Sequence, residues 1–201
     1  MHITKTLALR GSDQIAHDNG AFDVITSAIE SVDLNKLKKK ISKEKNRKGE
    51  ELFSPVEINK AIFRKMSSLG WEEYKKSYFL TGDQQTDEAA WEMPRDEQMS
   101  FIKGRGLEPI ASYTQSDFLK HRAVIEIQMG KYPFALYDIC VKNAVLFNYN
   151  NIDVAIEVLP TKRLQKRMSS GPAYFEHVCH KLFVMGEDSR PKAPTLILGI
   201  E

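Results

Sequence analysis

Asp117, Glu126 and Gln128 are the side chains of this sequence best placed to do chemistry together. An acidic residue is followed, eight positions on, by Glu-x-Gln inside the alternating stretch His121 to Met129 (HRAVIEIQM). Side chains two apart on a strand share a face. Ala123, Ile125, Ile127 and Met129 then point into a core, while Arg122, Val124, Glu126 and Gln128 line the other side. A carboxylate and an amide project side by side from stiff backbone, with Asp117 near enough to bring a second carboxylate. Two converging carboxylates are what a hard, oxygen-seeking divalent cation needs, and Mg²⁺ is the usual occupant. The plainer reading is a Glu and a Gln on the solvent face of a half-buried strand, preceded by an Asp that makes a turn.

The surrounding pattern supplies elements to hold these residues. The strand ends in Gly130-Lys131-Tyr132-Pro133, and a helix follows to about Asn148 with Leu136, Cys140, Ala144 and Phe147 on one face. Ile152 to Leu159 alternates again, so strand, helix and strand form a parallel pair with a right-handed crossover. Upstream, Ala21 to Ser31 has helical spacing at Phe22, Ile25 and Ile29. Ser54-Pro55-Val56-Glu57 predicts a helix start with a capping serine, a first-turn proline and a capping-box glutamate. Ile58, Ile62, Met66 and Leu69 continue that helix until Gly70 stops it. Trp71 to Leu80 reads as extended, Thr81 to Gly106 is weakly patterned with a short helix over Pro94 to Ile102, and Thr161 to Met168 and Tyr174 to Met185 read as helices. Thr195 to Ile200 is a terminal strand. The class is a mixed α/β sheet flanked by helices.

A chain of 201 residues, 42% hydrophobic and 28% charged, is expected to form one domain with at most a small subdomain. No apolar run reaches the length of a membrane span, and Met1 to Gly20 lacks the apolar core of a signal peptide, so the cytoplasm is the expected compartment. Cys140 and Cys179 read as buried small hydrophobes. His177, Cys179 and His180 lack a second ligand pair at zinc spacing. The net charge of +2 is unremarkable, but Lys36 to Lys48 (KLKKKISKEKNRK) concentrates eight basic residues against one Glu. That run is either a solvated surface or a basic arm that tracks phosphates.

The segment SDFLKHRAVIEIQMGKYPF, with its Asp-x8-Glu-x-Gln core, resembles the catalytic region of the BglII and BstYI group of type II restriction endonucleases. FSPVEIN, MSSGPAYFE and the ending PTLILGIE resemble further blocks of the BstYI branch, and the likeness covers nearly the whole chain. The resemblance implies the PD-(D/E)XK nuclease fold. It implies that Asp117 and Glu126 ligate Mg²⁺ with help from the carbonyl of Ile127, and that Gln128, standing where most of the superfamily has lysine, orients the attacking water. It also implies a homodimer on double-stranded DNA, cutting a palindrome with a GATC core, R^GATCY with four-base 5′ overhangs. A restriction system with a protecting methyltransferase follows from that activity. No membrane and no other protein partner is indicated.

By the same resemblance Lys131 faces the major groove, where a lysine can donate to guanine O6 and N7, although a surface lysine explains it equally. Ser169 and Ser170 belong to a loop that contributes to base recognition in that branch, and are otherwise turn residues. Asn59, on the polar side of its helix, has no structural duty the sequence reveals and is a further DNA-binding candidate. Glu57 is accounted for by the capping box and Glu157 by a solvated strand edge. Two other functions fit the same pattern: a catalytically silent DNA-binding protein, with Gln128 marking lost activity, or a structure-specific nuclease of the junction-resolving kind.

Overall fold

Three neighbouring strands whose residues are buried on both faces form the middle of the sheet. In the computed structural model they are β7 (Ala123–Ile127), β8 (Val154–Pro160) and β9 (Thr195–Ile200), labelled by their place in the chain. They run parallel, and β1 (Ile3–Leu9) and β6 (Phe118–Lys120) close the two edges antiparallel, in the order β1-β9-β8-β7-β6. The structure describes every residue except Lys38, Glu44, Lys131 and residues 187–189. The sequence alternation at β7 predicts one solvated face, yet Val124, Glu126 and Gln128 are as buried as their neighbours. Helices cover both sides of a parallel sheet, so its strands lose the polar face that an antiparallel sheet keeps.

One layer consists of α1 (Ser12–Asp18), α2 (Ala21–Glu30) and α3 (Pro55–Ser68). Ile25, Ile29, Ile58, Ile62 and Met66 from these helices meet Ile125, Ile156 and Leu198 from the sheet. Each such side chain contributes about 1.5–3 kcal/mol on full burial. Pro55 occupies the first turn of α3 as expected, but the capping box does not form: Ser54 makes no side-chain cap bond, and Glu57 pairs with Lys60 at 3.2 Å. Gly70, left-handed at φ 75°, ends the helix. A short antiparallel ribbon, β2 (Lys39–Ile41) with β3 (Glu51–Phe53), precedes α3.

A separate compact unit spans residues 73–116. There β4 (Tyr74–Leu80) pairs antiparallel with β5 (Ile110–Ser116), and α4 (Gln84–Ala90) and α5 (Arg95–Gly104) lie between them in sequence. The buried Gln98 ties this unit together, accepting from the Phe79 N–H at 3.0 Å and donating to the Met93 carbonyl at 2.9 Å. The sequence announces α5 but neither α4 nor β5.

On the second face of the sheet lie α6 (Tyr132–Tyr137), a five-residue π turn at Asp138–Lys142, and α7 (Asn143–Asn148), followed in the chain by α8 (Lys162–Gln165) and α9 (Phe175–Val184). Ile139, Phe175, Val178 and Leu182 pack there against Leu159 and Ile197. The single helix expected over Pro133 to Asn148 is therefore interrupted. Among the described residues no helix is long and apolar enough to cross a membrane.

The expected strand from His121 begins two residues later, because His121 and Arg122 form a hairpin turn between β6 and β7. Both are left-handed, at φ 49° and 62°, the conformation that a two-residue turn of this hand demands and that usually selects Asn-Gly. Arg122 is held there by its fork: Nε and Nη2 each reach Asp153 at 2.7 Å, and Nη1 reaches the Asn150 carbonyl at 2.7 Å. His121→Gly is expected to stabilise the protein by roughly 0.5 kcal/mol, since relief of left-handed strain exceeds the entropic cost of glycine. Phe118→Ala, emptying a site 1% exposed in the core, is expected to cost about 3–5 kcal/mol. Urea denaturation of both variants checks the two signs.

Candidate active site

The turn sets the register of β6 on β7, pairing Lys120 with Ala123, Leu119 with Val124 and Phe118 with Ile125. One step further along the same ladder, Asp117 comes opposite Glu126. Two bonds confirm the meeting: the Ile127 N–H donates to Asp117 Oδ2 at 2.8 Å, and the Asp117 N–H lies 3.4 Å from Glu126 Oε2. The eight-residue gap in the sequence is thus the path of one tight hairpin. Phe118, stacked on Phe63 with ring centres 4.5 Å apart, pins the strand that carries Asp117.

Gln128 and Glu157 complete the next layer. β7 and β8 are in parallel register with Glu126 beside Glu157. Gln128 donates from Nε2 to Glu157 Oε2 at 2.9 Å and to Asp138 Oδ2 at 2.7 Å. Asn143 Nδ2 donates to Glu157 Oε1 at 2.8 Å. Lys142 Nζ lies 2.7 Å from Glu126 Oε1 and 2.9 Å from Asp138 Oδ1. In a regular α-helix residues 138 and 143 would point about 140° apart, given 3.6 residues per turn. The π turn absorbs one extra residue, so Asp138, Lys142 and Asn143 all reach the strands. Such insertions recur at functional sites.

The solvated-edge reading of Glu157 is overturned: its side chain is fully buried and accepts from two amides. Burial pushes its carboxyl well above the ordinary range, reinforced by Glu126 and Asp138 and opposed by Lys142 and Gln128. Burial likewise raises the Glu126 carboxyl from 4.5 to about 7; Lys142 pulls it down, and Asp117 and Asp138 push it up. Burial lowers the Lys142 ammonium, but Glu126 and Asp138 more than restore it, so it is held charged. Among the described residues, carboxylates outnumber cations in this cluster.

A divalent cation fits that imbalance. Glu126 offers hard oxygens from β7 and Asp117 from the residue before β6, and the Ile127 carbonyl follows Glu126 directly in the chain. Among the described residues no group of three or more His, Cys, Asp or Glu is arranged to hold a metal. Two carboxylates completed by backbone oxygen and water are the set Mg²⁺ takes, and zinc does not.

The remaining expected residues lie elsewhere. Ser170 lines a cleft of about 470 Å³ with Arg47, Gln165, Lys166, Met168 and Gly171. Ser169 donates its N–H to the Phe53 carbonyl at 2.8 Å. Asn59 lines another cleft with Lys60, Phe63, Arg64 and Ser67. Lys131 lies outside the described residues. Asp138, Lys142 and Asn143 were not anticipated; a charged pair four apart within an otherwise apolar segment was the one signal that could have revealed them.

A mixed sheet with parallel centre and antiparallel edges, carrying paired carboxylates at the end of a central strand, defines the class as nuclease-like. The sequence model for "Restriction endonuclease BglII/BglIII" matches residues 5–200, and the chain belongs to that family of type II restriction endonucleases, site-specific DNA nucleases. The fold agrees with solved structures. The crystal structure of restriction endonuclease BglII complexed with a DNA 16-mer superposes at a TM-score of 0.69 with 20% identity, covering 100% of this chain and 79% of that one. Free BglII gives 0.63 with 17% identity, covering 100% and 80%. No curated protein matches.

The raised Glu126 carboxyl has a consequence for stability. In EDTA the folded protein keeps this proton up to about 7, whereas the unfolded chain releases it near 4.5. The stabilisation is therefore complete below 4.5 and is lost as pH rises through 7. The melting temperature in EDTA is expected to fall across that window, and Glu126→Gln to flatten the fall; calorimetry at a series of pH values measures it.

Proposed function

We propose that this enzyme is a homodimer that cuts both strands of a palindromic DNA site with Mg²⁺. The observation that carries the reading is the cross-strand meeting of Asp117 and Glu126 beside Gln128. Bound there, Mg²⁺ would acidify a water and neutralise the scissile phosphate. Asp117 and Glu126 would hold it through their carboxylates, with the Ile127 carbonyl as third protein oxygen. Both Nε2 hydrogens of Gln128 are committed to Asp138 and Glu157, so its carbonyl oxygen is the end available to accept from the attacking water and orient it.

A GATC core, as R^GATCY with four-base 5′ overhangs, is the site we propose. It rests on the resemblance of FSPVEIN, MSSGPAYFE and PTLILGIE to the BstYI branch. In this reading Lys131, Ser169, Ser170 and Asn59 contact the duplex, and the basic run from Lys36 to Lys48 follows its phosphates. The cleft joining Arg47 and Lys166 with Ser170 supports that role, since phosphate contacts come mostly from such side chains. A dimer is supported by the symmetry of a palindrome and by Phe134, Tyr137 and Val141, which stay exposed along one segment. The cytoplasm, where the restriction system would act, is the compartment proposed.

Incubation of the purified protein with plasmid and Mg²⁺ tests the reading. Discrete fragments are expected, and sequencing their ends should return GATC overhangs. Asp117→Asn and Glu126→Gln should each lower cleavage by orders of magnitude while retaining DNA binding, because phosphate-driven affinity is a separate term. Absence of cutting, cutting only at branched DNA, or full activity in both variants overturns the proposal.

A further inference from the structure

The cation at the centre of the site comes from a residue outside the Asp-x8-Glu-x-Gln pattern. Lys142 is 9% exposed, and its ammonium bridges Glu126 Oε1 and Asp138 Oδ1 at 2.7 and 2.9 Å. Burying an ion pair costs several kcal/mol per ion before attraction is counted, and an apolar residue of similar volume often serves packing as well or better. Lys142 is therefore poorly explained as packing. Its position relative to Glu126 is more telling, because it sits against Oε1 of the same carboxylate whose Oε2 faces Asp117, so a cation drawing on that carboxylate would compete with it.

The arrangement also provides a way out. Asp138 sits four residues back on the same π turn and holds Lys142 through Oδ1, while its Oδ2 is kept in place by Gln128 Nε2. If Glu126 turned to another cation, Lys142 would remain paired with Asp138, so no buried charge would be stranded. Asn143 fixes Glu157, which fixes Gln128 in turn, so this second anchor stands on a network that does not depend on Glu126.

We infer that Lys142 is a positioning residue of the cleavage reaction: an internal cation that holds Glu126 until a divalent cation displaces it onto Asp138. The inference rests on the proposed reading of Asp117 and Glu126 as metal ligands. Before metal arrives, the ammonium keeps a buried carboxylate from turning away. On arrival, the metal must compete with it, so Lys142 lowers the affinity of the free protein for metal. After displacement, a positive charge remains within one side chain's reach of the place where Gln128 supplies none.

Calorimetric titration of Mn²⁺ into the free protein at mildly alkaline pH tests this without reference to activity. Lys142→Gln is expected to bind Mn²⁺ about tenfold more tightly than the parent, which corresponds to about 1.4 kcal/mol, and Glu126→Gln to lose binding. A merely structural lysine predicts the reverse for Lys142→Gln, since a loosened site binds metal less well. A second measurement needs no loss of charge: in protein labelled with ¹⁵N at lysine Nζ, the Lys142 ammonium resonance, assigned by its disappearance in Lys142→Arg, should shift with the same midpoint as metal binding. Binding that is lost in Glu126→Gln but unchanged or weaker in Lys142→Gln, or a Lys142 resonance that metal does not move, overturns the inference alone. Mn²⁺ binding that survives Glu126→Gln overturns the metal reading and this inference with it.

Discussion

The register of one short hairpin governs this candidate active site. Side chains on a strand alternate, so a slip of one residue between β6 and β7 would send Glu126 to the helix-packed core and bring an isoleucine in its place. The turn at His121 and Arg122 prevents that slip. It has the left-handed geometry usually supplied by Asn-Gly, and the Arg122 fork on Asp153 and Asn150 compensates for the less suitable residues. Because Asp153 immediately precedes β8, the same contacts tie the hairpin to the next strand. A surface arginine thereby acts on the alignment of two carboxylates at the far end of the ladder.

From that alignment the electrostatics follow. Asp117, Glu126, Asp138 and Glu157 are drawn together on adjoining elements, and Lys142 is the cation among them in the described residues. Helices on both faces of the sheet remove water, so mutual repulsion is poorly screened and the proton becomes the cheapest neutraliser for Glu126 and Glu157. A hard cation bound to such a cluster would relieve a repulsion already present. The amides of Gln128 and Asn143 keep the cluster from collapsing by fixing Glu157 and Asp138 in one orientation. Gln128 is therefore as much a structural tie as a candidate for handling water.

Local pattern was a good guide wherever one helix or strand met one core. The stripe Ile58, Ile62 and Met66, the first-turn Pro55 and the terminating Gly70 were all legible because they express short-range geometry. Pattern misled where a second layer intervened. Val124, Glu126 and Gln128 alternate with apolar residues as on a solvated strand, yet α6, the π turn and α7 cover that face. Glu157 was misread for the same reason: a polar residue within a strand reveals its burial only once its neighbours are known. α4 and β5 carry weak patterns of their own; β5 is specified by its pairing with β4, and α4 by packing beside α5 and β4.

Amino-acid order was enough to give the family, the central strands and the meeting of Asp117 with Glu126, since spacing along a chain records a hairpin that short-range geometry must close in one way. Tertiary structure alone decided which charges surround that pair. The π turn rotates Asp138, Lys142 and Asn143 toward the sheet by inserting one residue into a helical turn, and nothing in the periodicity of the segment marks the insertion. Burial of Glu126 and Glu157 depends likewise on a layer contributed by chain after the strand. Which carboxylates meet was written in the order of amino acids; how strongly they repel, and what cation lies against them, was settled by packing.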